Sequence, residues 1–263
     1  MVLPIENTQP ISQMDSPVRR LLARYEQAKT IKHQWHDILE ECYEYALPQK
    51  ESFFTESQGR RRTNRIFDET AVVGVQEFAS RLQAGIVPNY ARWADFVAGT
   101  DVPPDEAKEL NEILDQVTDY VFEVLQASNF SQEVHESFLD MALGTGVLLV
   151  EEGDAVNPIR FRAIPLPQVW LTSGHDDRVD HVFRRRVIRM KEIQVAYPDA
   201  VFGDKMMMDL KKNPDKECEI IEVVYRNYHN TKEEEYHFCA ISKEYEEKLH
   251  EETFKGRGSN PYL

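Results

Sequence analysis

The stretch that decides the fold runs from Arg60 to Phe96: RRRTNRIFDETAVVGVQEFASRLQAGIVPNYARWADF. Ile66, Phe67, Thr70, Val73, Phe78, Leu82 and Ile86 recur at steps of about three and four residues, the spacing of a helix that buries one face. The pattern predicts a core helix of about six turns at 3.6 residues per turn. A second set, Ala71, Gly74, Ala79, Ser80, Ala84 and Gly85, supplies small side chains where another backbone can approach. Gly85 and Pro88 stop the helix, because glycine weakens a helix end and proline has no amide proton to donate.

Upstream, residues 1–15 are polar and proline-punctuated, the composition of a flexible arm. Ser16 and Pro17 open a helix, the serine placed to cap and the proline in the first turn. Leu21, Leu22, Tyr25, Ala28, Trp35, Ile38, Leu39, Cys42 and Ala46 predict one continuous apolar stripe along it, ending at Leu47-Pro48. A polar loop, 49–62, leads into the central helix.

Downstream, Pro103 and Pro104 break the chain, and a third helix carries Leu110, Ile113, Leu114, Val117, Val121, Val124 and Leu125 on one face, with acids in its first turn. A short helix, 132–143, ends at Gly144. The pattern then changes. Segments 147–150, 159–164, 181–188, 220–228 and 236–241 are rich in Val, Ile, Phe and Tyr between turn residues, and read as strands. One helix, 191–197, is halted by Pro198; 204–217 reads as a polar connection, and 243–253 as too acidic for a buried strand. The fold class is α+β, a helical first half, 16–143, followed by a small antiparallel sheet or barrel in 144–263.

Several of these residues also carry a family resemblance. Asp68, Thr70 and Ala71, then Phe78-Ala79-Ser80-Arg81-Leu82, then Pro88 and Arg92-Trp93 stand in a series that resembles the head-to-tail connecting (portal) proteins of short-tailed bacteriophages. Trp35, Glu41-Cys42, Leu47-Pro48, Gly144-Thr145-Gly146, Ile164-Pro165 and the segment Gly256 to Pro261 extend the series over nearly the whole chain. Asp68, Thr70, Ala79, Ser80, Leu82, Pro88 and Trp93 are its core. The resemblance implies a structural virion protein at a capsid vertex, made in the host cytoplasm: a homo-oligomeric ring, twelve-fold in the usual case, through which double-stranded DNA is packaged and ejected. It further implies docking of a terminase packaging motor, of tail or adaptor proteins, and of capsid and scaffold proteins. Family members continue past the segment that matches Gly256 to Pro261, so the resemblance implies the amino-terminal, wing-like part, before the clip, the following stem helix and the crown.

Composition sets bounds. The 263 residues are 41% hydrophobic, enough for one large or two smaller cores. The formal charge of -15 opposes a protein that grips nucleic acid by neutralising phosphates, and suits a surface past which DNA slides. Cys42, Cys218 and Cys239 lie far apart without metal or redox spacing, which fits a reducing compartment. The amino terminus shows no signal peptide, and no apolar run is long enough to span a membrane.

Candidate chemistry is sparse. His33 and His36 with Asp37 and Glu40 place possible metal ligands within two helical turns, a pattern that a solvated helix face shares. His175, Asp176, Asp177, Asp180 and His181 form the strongest alternative, a metal-dependent enzyme, although Ser173 to Asp177 is also good turn chemistry before a strand. Gly144-Thr145-Gly146 follows a helix and precedes a strand, the reverse of a phosphate loop. No Ser-His-Asp or Cys-His signature is present, and no cofactor is implied. Two arginine clusters remain, Arg60, Arg61, Arg62 and Arg65, and Arg184, Arg185, Arg186 and Arg189. In an acidic chain they are candidates for pairing with a neighbour's carboxylates, among them Glu233 to Glu235 and the acids of 244–252, across a ring interface. A monomeric interaction module is the third reading.

Overall fold

The computed structural model describes residues 16–50, 66–228 and 233–263. Two compact units are interleaved along the chain, one drawn from residues up to 35 and 168–260, the other from 36–167 and 261–263.

The first unit is a five-stranded antiparallel meander in the order β3 (Val169–Ser173), β4 (Val179–Arg189), β5 (Glu217–Arg226), β6 (Glu235–Ser242) and β7 (Glu247–Lys255). Successive side chains point to opposite faces of a strand. Phe183 pairs with Val223 and Val223 with Cys239, and with Trp170, Ile221 and Ile241 they form one face. Helix α1 (Pro17–His33) covers that face through Tyr25 and Ala28. The Tyr25 ring meets Trp170 edge-on at 5.1 Å and Phe183 at 5.8 Å. The opposite face, with Cys218, Ile220, Ala240 and Leu249, is covered by α6 (Met190–Ala196) and α7 (Asp204–Lys212) through Met190, Ile193, Tyr197 and Met206.

Several expectations change here. The segment 204–217 is not merely a polar connection, because Met206 is fully buried and anchors helix α7. Nor are the acids of 243–253 incompatible with a strand: β7 is the sheet edge, where Leu249 points inward while Glu251 and Glu252 stay in water. Strand β3 lies in a five-residue segment, VWLTS, too short to show a clear alternation.

The second unit holds α2 (His36–Ala46), α3 (Thr70–Ile86), α4 (Pro104–Ala127), α5 (Phe130–Leu143) and the hairpin β1 (Leu148–Glu152) and β2 (Ile159–Ala163). The predicted single helix over 16–46 is therefore two. Gln34 and Trp35 donate their amides three residues back, to Ile31 and Lys32, and this tightening ends α1. Ser16 precedes α1 without a side-chain cap bond. Gly144 ends α5, and Gly146 is needed for close approach, since a Cβ there would sit 2.5 Å from the Ser137 carbonyl oxygen. The last residues return to the hairpin: Leu148 and Leu263 exchange amide bonds at 2.9 and 2.8 Å, and Val150 donates to Pro261.

The core of this unit joins Tyr43, Ala46, Leu47, Val75, Ala79, Leu139 and Leu166. Asp140 is buried within it, accepting from Tyr43 Oη at 2.6 Å and Lys50 Nζ at 3.1 Å. Burial pushes the Asp140 carboxyl upward, and these two donors oppose that shift.

Helix α3 departs most from its sequence pattern. It starts at Thr70 rather than before Ile66, because the Asp68 carboxylate accepts the Thr70 amide at 2.8 Å and fixes the first turn. The face it buries is that of Val75 and Ala79, with Leu82 half-buried, while Phe67, Val73, Phe78 and Ile86 remain exposed. Of the small-residue set only Ala79 is buried.

Candidate assembly surface

The surface is built from the link after α3 and from α4. Residues 92–98 run beside α4 and are pinned to it at several points. The Arg92 guanidinium bridges Asp115 at 2.8 Å and Asp119 at 2.9 Å, and also bonds Asp95. The Phe96 amide donates to Thr118 Oγ1 at 3.2 Å, and the Ala98 amide to Asn111 Oδ1 at 2.8 Å. Thr118 is itself buried and donates to the Leu114 carbonyl, so this contact leaves no polar atom stranded. Trp93 lies edge-on to Phe122 at 5.4 Å and stacks on Phe130 at 6.2 Å. Its indole walls a pocket of about 250 Å³ with Val87, Pro88, Phe122 and Leu125.

The other side of α4 has no such cover among the described residues of its own unit. Leu110, Ile113, Val117 and Tyr120 stand at i, i+3, i+7 and i+10, one stripe of a helix at 100° per residue. Ile113 is 58% exposed, Val117 43% and Tyr120 64%. The predicted burial of Leu110, Ile113 and Val117 is thus not met; of the predicted stripe, Leu114, Val121, Val124 and Leu125 are half-buried. The physical reason is length. Helix α4 has 24 residues and the shorter α5 has 14, and only the end of α4 adjoining α5 carries its buried aromatic, Phe122. Phe96 and Val97 add further exposed apolar area.

Residues 18–263 match the family described as bacteriophage head to tail connecting protein. The chain belongs to this family. A relative named "Probable portal protein", from Bordetella phage BPP-1, is 25% identical over 178 residues, which cover 66% of this chain and 31% of the relative. The chain thus spans about a third of the length of the curated relative that it matches.

In this chain, the family-motif residues divide by task. Asp68 and Thr70 start α3, Ala79 packs its buried face, Leu82 is half-buried, Ser80 is exposed, and Pro88 and Trp93 line the pocket. The second arginine cluster is held on the chain's own sheet. Glu222 accepts from Arg186 at 2.7 Å, from Tyr197 Oη at 2.6 Å and from buried Arg184 at 3.4 Å, while Arg185 pairs with Glu219 at 3.2 Å. Arg189 is exposed, and its amide donates to Glu192 ahead of α6. Arg60, Arg61, Arg62 and Arg65 lie outside the described residues.

The histidine cluster separates into different contacts. The His175 ring meets Tyr228 at 5.3 Å, Asp176 pairs with Arg226 at 3.1 Å, and Asp177 occupies a left-handed turn position at φ 58°. His181 is buried between the Phe183 and Tyr225 rings, each 5.7 Å away, with Asp180 on Nδ1 at 2.7 Å and Arg24 on Nε2 at 2.6 Å. An imidazole that accepts from a guanidinium is neutral, and burial is the main cause that lowers its pKa. Among the described residues no group of three or more His, Cys, Asp or Glu side chains, including those around His33 and His36, is arranged to hold a metal ion. Nor is any described helix long and apolar enough to cross a membrane.

What the sequence pattern missed is the exposure of the α4 stripe. Periodicity reports that a face is apolar and is silent on whether its cover comes from the same chain.

Proposed function

We propose that this chain is a subunit of a portal: a homo-oligomeric ring at a capsid vertex that forms the channel for DNA packaging and ejection. The observation that carries the reading is family membership over residues 18–263, and the name of the phage relative supports it. The α4 stripe supports it independently, since a row of large apolar side chains left in water on one copy is what a permanent oligomer covers. Within this reading residues 16–143 and 144–263 build the wing of the ring. The packaging motor, tail or adaptor proteins, and capsid and scaffold proteins dock on the assembled ring, and its role is geometric rather than catalytic. Double-stranded DNA passes without sequence-specific contact, in keeping with a net charge of -15.

The test is the mass of the purified protein by light scattering, with negative-stain images of the same peak. A closed ring with a central hole is the expected result; a monomer at every concentration overturns the reading.

A further inference from the structure

Helix α7 presents the counterpart of the α4 stripe. Met206 points into the core and Leu210 is half-buried, so the outer face carries Lys205, Met208 and Lys212 at i, i+3 and i+7, with Met207 and Lys211 beside them. Met208 is 56% exposed. In a chain of net charge -15 an apolar row lined by lysines is unusual. Helix α4 has the opposite polarity: its carboxylates are Asp105, Glu106, Glu109, Glu112, Asp115, Asp119 and Glu123, against the single Lys108. At 100° per residue Glu106 extends the Leu110, Ile113, Val117 and Tyr120 row by one turn at its amino-terminal end, and Glu109 lies along its border. Residues 104–113 are exposed throughout except for half-buried Ala107, so this end of α4 is reachable by another molecule.

We infer that α4 of one copy docks on α7 of the next, the α4 apolar row packing on Met207 and Met208 while Glu106 and Glu109 meet Lys205, Lys211 and Lys212. The inference rests on the ring reading above and supplies its contact. A ring requires a head-to-tail interface made of two different, complementary patches on each copy, and these two helices are such a pair. Methionine suits the role because its unbranched thioether side chain adapts to the shape of a facing row. These charges set register and suppress like-to-like pairing of two α4 helices, which would oppose carboxylate to carboxylate.

The experiment uses two double variants of the full chain, Ile113→Asp with Val117→Asp, and Met208→Glu with Lys212→Glu. All four positions are exposed, so each variant should retain the circular dichroism spectrum and melting of the parent. Each alone is expected to raise the concentration for half-assembly by about 30-fold or more, the loss of a buried anchor at an interface centre. Mixed together, they retain one intact contact between them, and assembly should stop at a heterodimer. A charge swap, Glu106→Lys and Glu109→Lys combined with Lys205→Glu and Lys212→Glu in one chain, should restore assembly that either half of the swap weakens. If the parent forms rings and both double variants still form them, the α4–α7 contact is overturned and the portal reading stands. A parent that stops at an open dimer lost in both variants upholds the contact and sinks the ring. A parent that is monomeric at every concentration overturns both.

Discussion

The sheet of the first unit and helix α4 of the second carry equally strong hydrophobic patterns and meet opposite fates. On the sheet both faces are covered, by α1 on one side and by α6 and α7 on the other, and Phe183, Ile220 and Ala240 are fully buried. On α4 half the apolar stripe stays in water. The difference shows that a periodic apolar row specifies a buried face but not the chain that buries it.

The largest effect should fall on the sheet. Replacing Phe183 by Ala is expected to cost about 3 to 5 kcal/mol of unfolding free energy in urea titration, the usual loss for a large buried aromatic. Asp140→Ala in the helical unit should cost about 3 kcal/mol, because Tyr43 Oη and Lys50 lose a buried acceptor. Val117→Asp, by contrast, should change the stability of the isolated chain by no more than about 0.5 kcal/mol. A loss at Val117 as large as that at Phe183 would erase the contrast, since it would mean that α4 is covered within its own chain.

Two titrations sharpen the comparison, because buried ionisable groups are concentrated on the sheet side. Lys32 donates to the Val169 carbonyl at 2.6 Å, and burial lowers its pKa from 10.5 to about 7. The unfolded chain therefore binds the extra proton between about pH 7 and 10.5, and stability should rise with pH across that window, an increment absent in Lys32→Met. The His181 pKa is likewise lowered from 6.5, so stability is retained above that value and declines as pH falls below it toward the folded-state pKa. In His181→Phe the decline attributable to this group should vanish in melts recorded across that range. A comparably small change, within the scatter of thermal melts, is expected for Arg92→Ala, since its ion pairs with Asp115 and Asp119 are largely exposed.

Much of this architecture was legible in the chain. Strands β1, β2, β4, β5 and β6 and helices α5 and α6 coincide, within a few residues, with segments recognised by alternation, β-branched content and proline or glycine stops. The misses have local causes. Strand β7 was hidden by Glu247, Glu251 and Glu252, which an edge tolerates, and α7 by five polar residues around a single buried methionine. Helix α3 misled because its bulky residues and its small residues compete for the core; Ala79 won, as its side chain fits the close packing against α5. The candidate contact lay in plain view as letters, Leu110 to Tyr120 and Lys205 to Lys212, yet an exposed apolar row and a buried one are written alike.

The return of Pro261–Leu263 to strand β1 has a mechanical consequence. The peptide chain passes between the two units after Trp35, after Pro167 and after Asn260, so three covalent tethers act in parallel. A load applied between the units is shared among them, and excision of 36–167 yields the helical unit without the segment Pro261–Leu263 that borders its hairpin. Removing only the last tether would also expose the Leu148 and Val150 edge of the hairpin, turning a closed border into an adhesive one.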